Sequence, residues 1–126
     1  MPTEDDGAED LPRPLRQPER AVIERLLAVP FPGRDELLAQ LGHTVVDGGC
    51  RCGCATINLS VERSAAAPAP VVTTAPVSAD LGEGDSYAGV ILLVRDGFLS
   101  CLEVYSIDEP VRSLPPADTI RPRPAR

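Results

Sequence analysis

Residues 88–106, "AGVILLVRDGFLSCLEVYS", constrain this chain more than any other stretch. Two apolar runs flank Asp96-Gly97, the dipeptide preferred in two-residue type I′ hairpins, because Asp and Gly tolerate the positive φ angles that turn needs. With those two residues as the turn, Arg95 faces Phe98, Val94 faces Leu99, Leu92 faces Cys101 and Val90 faces Glu103. One side of the ribbon then carries Val90, Leu92, Val94, Leu99, Cys101 and Tyr105, and the other Ile91, Leu93, Phe98, Leu102 and Val104. Both sides are mostly apolar, so the hairpin is expected at the centre of a sheet, covered on both faces or nearly so.

A central hairpin needs neighbours. "ATINLSVE" (55–62) alternates, with Ala55, Ile57, Leu59 and Val61 on one face and Thr56, Asn58, Ser60 and Glu62 on the other, as in a half-buried strand. "HTVVD" (43–47) reads as a short strand, and "VVTTAPV" (71–77), flanked and interrupted by proline, as an edge strand. Upstream, Pro18 and Glu19 suit the start of a helix whose apolar stripe is Val22, Ile23, Leu26 and Leu27, stopped by Pro30 and Pro32. A second helix is expected over 34–41, with Leu37, Leu38 and Leu41 facing inward and Gly42 as its C-cap. The fold class expected is α+β: two N-terminal helices packed on an antiparallel sheet of about four to five strands.

Length permits one domain and not two. Residues 1–17 are acidic, proline-bearing and without apolar period, so they read as a disordered acidic tail. The single domain is expected over 18–120, and 121–126 as a flexible Arg/Pro tail. Aromatic residues are only 3% of the chain, so the core must come from Leu, Val, Ile and Ala.

Charge and residue types exclude several functions. All 12 basic residues are Arg, so there is no Schiff-base or P-loop lysine, and His43 is the single histidine. A net charge of −7 argues against a duplex nucleic-acid partner, which needs a basic face. No apolar run approaches the roughly 18 residues of a membrane helix, and the acidic N-terminus does not resemble a signal peptide, so a cytoplasmic location is expected. In that compartment thiols stay reduced, and four cysteines read as thiols or metal ligands before disulfides.

Three of them stand together in "GGCRCGC": Cys50, Cys52 and Cys54. In an extended C-x-C-x-C the sulfurs share one face about 6–7 Å apart, too far for easy disulfides, although Gly48, Gly49 and Gly53 could bend the backbone enough to converge them. Continuing the phase of 55–62 backwards places the three on the polar face. Cys101, by the hairpin register, sits among Leu92, Val94 and Leu99 as a small core residue. The cluster reads as a plain glycine-rich strand entry, as a zinc or soft-metal site of Cys50, Cys52 and Cys54 with His43 or Asp47, or as a reactive thiol beside Arg51. Glu103, on a mostly apolar ribbon, could serve as a general acid or base, or simply pair with a cation such as Arg95.

"ERLLAVPFPGRDELLAQL", "VVDGGCRCGCATINLSV" and "GVILLVRDGFLSCLEVYS", in that order, resemble a group of uncharacterised small actinobacterial-type proteins ending in a dGxLsxLExY hairpin. The resemblance spans residues 19–109 and implies a compact α+β fold without a reaction type. Some comparably small α+β proteins are toxin-neutralising immunity proteins, an analogy of size and fold alone. The function expected is therefore a non-enzymatic binding or interaction protein, immunity-like on that analogy, acting through its sheet surface toward a protein partner or a second copy. A small zinc-binding protein and an accessory enzyme using a Cys or Glu103 are the alternatives.

Overall fold

Two short helices with leucine faces must close on something larger, and here they close on a sheet. The computed structural model describes residues 10–50, 53–81, 88–107 and 109–125. Its elements run β1 (Arg13–Pro14), α1 (Gln17–Leu26), α2 (Arg34–Gln40), β2 (Thr44–Gly49), β3 (Ile57–Val61), β4 (Val77–Asp80), β5 (Ala88–Arg95), β6 (Phe98–Ser106) and β7 (Arg121–Pro124). All seven strands join one antiparallel sheet in the order β1-β2-β3-β6-β5-β4-β7. The α+β class is as expected; the sheet has seven strands where four to five were expected.

The two additional strands are the ones with no strand-like sequence. β1 pairs Arg13 and Pro14 with Val46 and Val45, so part of the stretch read as a disordered tail is built into an edge. β7 pairs residues 121–124, read as flexible tail, with β4. Neither shows apolar alternation, because an edge strand needs only backbone pairing on one side. Residues 1–9, the bulk of the acidic tail, lie outside the described residues. The fourth strand occupies 77–80 instead of 71–77: Pro76 ends the irregular segment before it, and Val77 and Ala79 supply the inward positions.

Asp96 and Gly97 take φ of 56° and 85°, as the type I′ turn requires. Arg95 pairs with Phe98 and Val94 with Leu99, but the register then shifts: Leu93 faces Cys101, Leu92 faces Leu102, Ile91 faces Glu103 and Val90 faces Val104. Ser100 is the extra residue of a β-bulge. Beyond it every β6 side chain changes face relative to the unbroken ladder. The core face therefore gathers Leu99, Leu102 and Val104 with Val90, Leu92 and Val94, all nearly inaccessible. The ribbon is thus central, as expected, yet fully covered on one face only.

That covered face meets α1 and α2. Val22, Ile23, Leu26, Leu27 and Leu37 are completely buried in one cluster with Ile57, Leu59 and the β5–β6 residues. Leu38, expected inward, is exposed, and Gly42 caps nothing: α2 runs on into a 3₁₀ turn over 41–43. Gln40 takes the inward place. It is fully buried, its amide nitrogen donates to the Ala67 and Gly97 carbonyls at 2.9 Å each, and its oxygen accepts from the Leu99 N–H at 2.9 Å. One side chain thereby joins α2, the hairpin turn and the 62–76 segment, beside the bulge. At the other end Arg13 donates to both oxygens of Glu19 (2.9 and 2.8 Å), tying β1 to the first turn of α1. Burial pushes the Glu19 carboxyl up, but Arg13 and the Arg16 backbone N–H outweigh it and hold the carboxyl below its ordinary range.

Candidate functional site: a thiol-bearing cleft and an open sheet face

The glycine-cysteine segment connects β2 to β3 at one end of the sheet. Strand β3 begins at Ile57, so the pleat does not extend back through the cysteines. Instead the Gly53 N–H loosely reaches the Cys50 carbonyl (3.5 Å), and Gly53 sits at φ 88°, which bends the chain back on itself. Cys50 is exposed and Cys54 half-buried, and both line one cleft of about 1040 Å³ together with Arg13, Arg16, Arg112 and Leu114. The Arg112 guanidinium lies so close over Gly53 that a Cβ there would meet it at 2.6 Å. The guanidinium ends a flexible side chain and can swing aside, so it is the positive φ that favours glycine there.

The other candidate ligands fall differently. His43 precedes β2 and Cys50 follows it, so the length of that strand, roughly 20 Å, separates them. Among the described residues no three of His, Cys, Asp and Glu stand close enough together to hold a metal ion. Cys52 and Arg51 lie outside the described residues. Asp47 is exposed at an irregularity in β2.

Cys101 departs from the position read for it. Because the bulge reverses the phase of β6, it pairs with Leu93 and Asn58 and points away from the core, half-buried. Burial, then the negative charges of Glu103 and of Cys54, push its thiol up to about 11. Arg95 does not reach Glu103: it pairs with Phe98 at the far end of the hairpin, while Glu103 faces Ile91. No family model, curated protein or solved structure matches this chain.

Cys101 and Glu103 belong to the second notable surface, the sheet face away from the helices. Along β5 and β6 it presents Ile91, Leu93, Cys101, Glu103 and Tyr105, all partly exposed, and none of them joins the core cluster. Tyr105 lies across Gly89, its register partner, where any Cβ would collide with the ring; the glycine is buried by the aromatic above it. Asn58 and Ser60 flank this strip on the β3 side. Ser78, Asp80 and Arg123 flank it on the β4–β7 side, where Arg123 donates to Asp80 at 3.1 Å. An apolar centre with a polar surround is the anatomy of a protein-contact patch. The patch depends on a bulge that alternation does not announce, though the core spacing Leu99, Leu102, Val104, three then two, is the trace it leaves in the sequence.

Proposed function

We propose that this protein is a non-enzymatic binding module that engages a protein partner through the open face of its sheet. One observation carries the reading: Ile91, Leu93 and Tyr105 stand side by side on the central strands, outside the core, with polar residues on both flanks. The sheet edges support the face over edge-to-edge pairing. In β7 the Ala125 N–H bonds inward to the Pro76 carbonyl, so residues 122 and 124, of opposite phase, turn their backbone nitrogens outward. Both are proline. The free edge of β7 consequently offers carbonyls and no donor, and β1 is only two residues long with Pro14 in it.

The test is a photo-crosslinking residue placed at Leu93, and for comparison at Glu24 on the exposed side of α1, in cells of the protein's own source. A defined partner joined from position 93, absent from position 24 and lost with Ile91→Asp, is the expected result. Equal yield from both positions would refute the reading.

The metal alternative is supported by the Cys50–Gly53 bend, which sets Cys50 and Cys54 on one cleft wall; His43 is too distant to complete such a site. Elemental analysis of the purified chain for zinc, iron and copper decides it, stoichiometric metal lost in Cys50→Ser being the supporting outcome. As a nucleophile Cys101 is poorly suited, since a thiol at about 11 is protonated at neutral pH.

A further inference from the structure

The strip on the open face is apolar except at one place. Glu103 sits on β6 between Cys101 and Tyr105, directly across from Ile91, and is only partly exposed. Among the described residues it enters no ion pair and no hydrogen bond. The neighbour on which its charge acts is a thiol, that of Cys101. The cation on the same strand pair, Arg95, is four residues from Ile91 along β5, some 13 Å away. A carboxylate in the middle of an apolar patch costs little while water reaches it. Once a partner covers the patch it needs a counter-charge, because an unpaired buried carboxylate is strongly disfavoured.

Resting on the binding reading above, we infer that the partner surface presents an arginine or lysine to Glu103, ringed by apolar groups that seat on Ile91, Leu93 and Tyr105. A second copy of the chain is the less suitable occupant. Each chain carries a net charge of −7, and a two-fold axis through the strip would bring Glu103 toward its own symmetry mate, where like charges repel. The partner is thus a protein with a basic residue set in an apolar surround. Glu103 gives register and selectivity, and the flanking side chains give contact area.

Two peptides test this on the full-length protein: N-acetyl-Leu-Arg-Leu-amide and its counterpart with citrulline, which keeps the shape of arginine and removes its charge. Amide chemical shifts in ¹⁵N-labelled protein report where each binds. The expected result is that the arginine peptide shifts residues 91, 93, 101, 103 and 105 and binds at least about tenfold more tightly than the citrulline peptide. Glu103→Gln should bring the two to parity without unfolding the protein, since the substitution is isosteric and on a half-exposed position. Equal binding of both peptides to the face in the wild type would overturn the role of Glu103 and leave the binding face standing. Failure of either peptide to perturb the face would overturn the inference, with crosslinking from position 93 then deciding the face separately. Dimerisation that strengthens in Glu103→Gln, seen by sedimentation velocity, would overturn it in favour of self-association.

Discussion

Replacing Gln40 with leucine tests the most consequential buried contact in the fold. The substitution conserves volume approximately, leaves the Leu99 N–H and the Ala67 carbonyl without their partner, and takes one of two donors from the Gly97 carbonyl, which keeps the Ala69 N–H at 2.7 Å. The first bond is fully buried and the other two partly so. An orphaned buried donor costs about 1–3 kcal/mol, and a carbonyl that water can still approach about 0.5–1 kcal/mol each. Against this, the more apolar leucine returns roughly 1 kcal/mol of burial. The balance is a loss of about 1–4 kcal/mol, a large fraction of the stability of a domain this size. In urea, with a slope of about 1.5 kcal/mol/M, the unfolding midpoint should fall by roughly 0.7–2.7 M. Gln40→Glu sharpens the test, because it keeps an acceptor for Leu99 while an ionised carboxyl cannot donate to the two carbonyls. Burial raises the folded pKa of the introduced group above its unfolded value. Its penalty is therefore greatest above the folded pKa and shrinks as pH falls toward the unfolded one. A Gln40→Leu protein within about 0.5 kcal/mol of wild type would show that these three bonds do not hold α2 to the hairpin.

Other substitutions probe separate features. Glu19 has a depressed folded pKa, so its contribution to stability is present above the unfolded carboxyl pKa near 4.5 and is lost as pH falls below that value. Glu19→Gln should lower stability at pH 7 by about 1–3 kcal/mol and flatten the acid limb of a stability–pH curve, the difference from wild type shrinking as the wild-type carboxyl protonates. Gly97→Ala places a Cβ at φ 85° and within 2.7 Å of Pro68 and 2.9 Å of the Ala69 carbonyl; a loss of about 2–4 kcal/mol by thermal or chemical unfolding is expected. Iodoacetamide at pH 7.5 should label Cys50 rapidly and Cys101 slowly: raising a thiol from 9.0 to about 11 cuts its thiolate fraction about a hundredfold. Peptide mass spectrometry reads both rates, and Glu103→Gln should speed labelling at Cys101.

The parts of this fold that are visible in sequence are those where local chemistry and burial agree. The Asp96-Gly97 turn, the inward set Ile57, Leu59 and Val61, and the stripe Val22, Ile23, Leu26 and Leu27 all emerge from periodicity and appear in place. The edges do not, because Arg13–Pro14 and Arg121–Pro124 are held by backbone pairing with their neighbours and, for Arg13, by its ion pair with Glu19, and neither stretch has an apolar alternation. The bulge at Ser100 had the widest effect. An unbroken ladder assigns Leu99 and Leu102 to opposite faces and makes the hairpin look apolar on both. In the structure those two leucines share the core, and Cys101 with Glu103 moves to the open side. The candidate site shifted with them: the thiol assigned to the interior is on the face proposed to meet a partner, and His43 is separated from the cysteine cluster by a whole strand.

The proline rim of β7 has a consequence for any shortened form of the chain. Removing residues 121–126 would strip that cover from β4, leaving Val77 and Ala79 on a bare border that still has amide donors. A sheet that ends in a non-adhesive margin would become one able to recruit further copies of itself, and the truncated protein should deposit as thioflavin-positive fibres at concentrations where the intact chain stays clear. Four residues of unremarkable Arg-Pro repeat would then act as the hem that keeps the fabric from running.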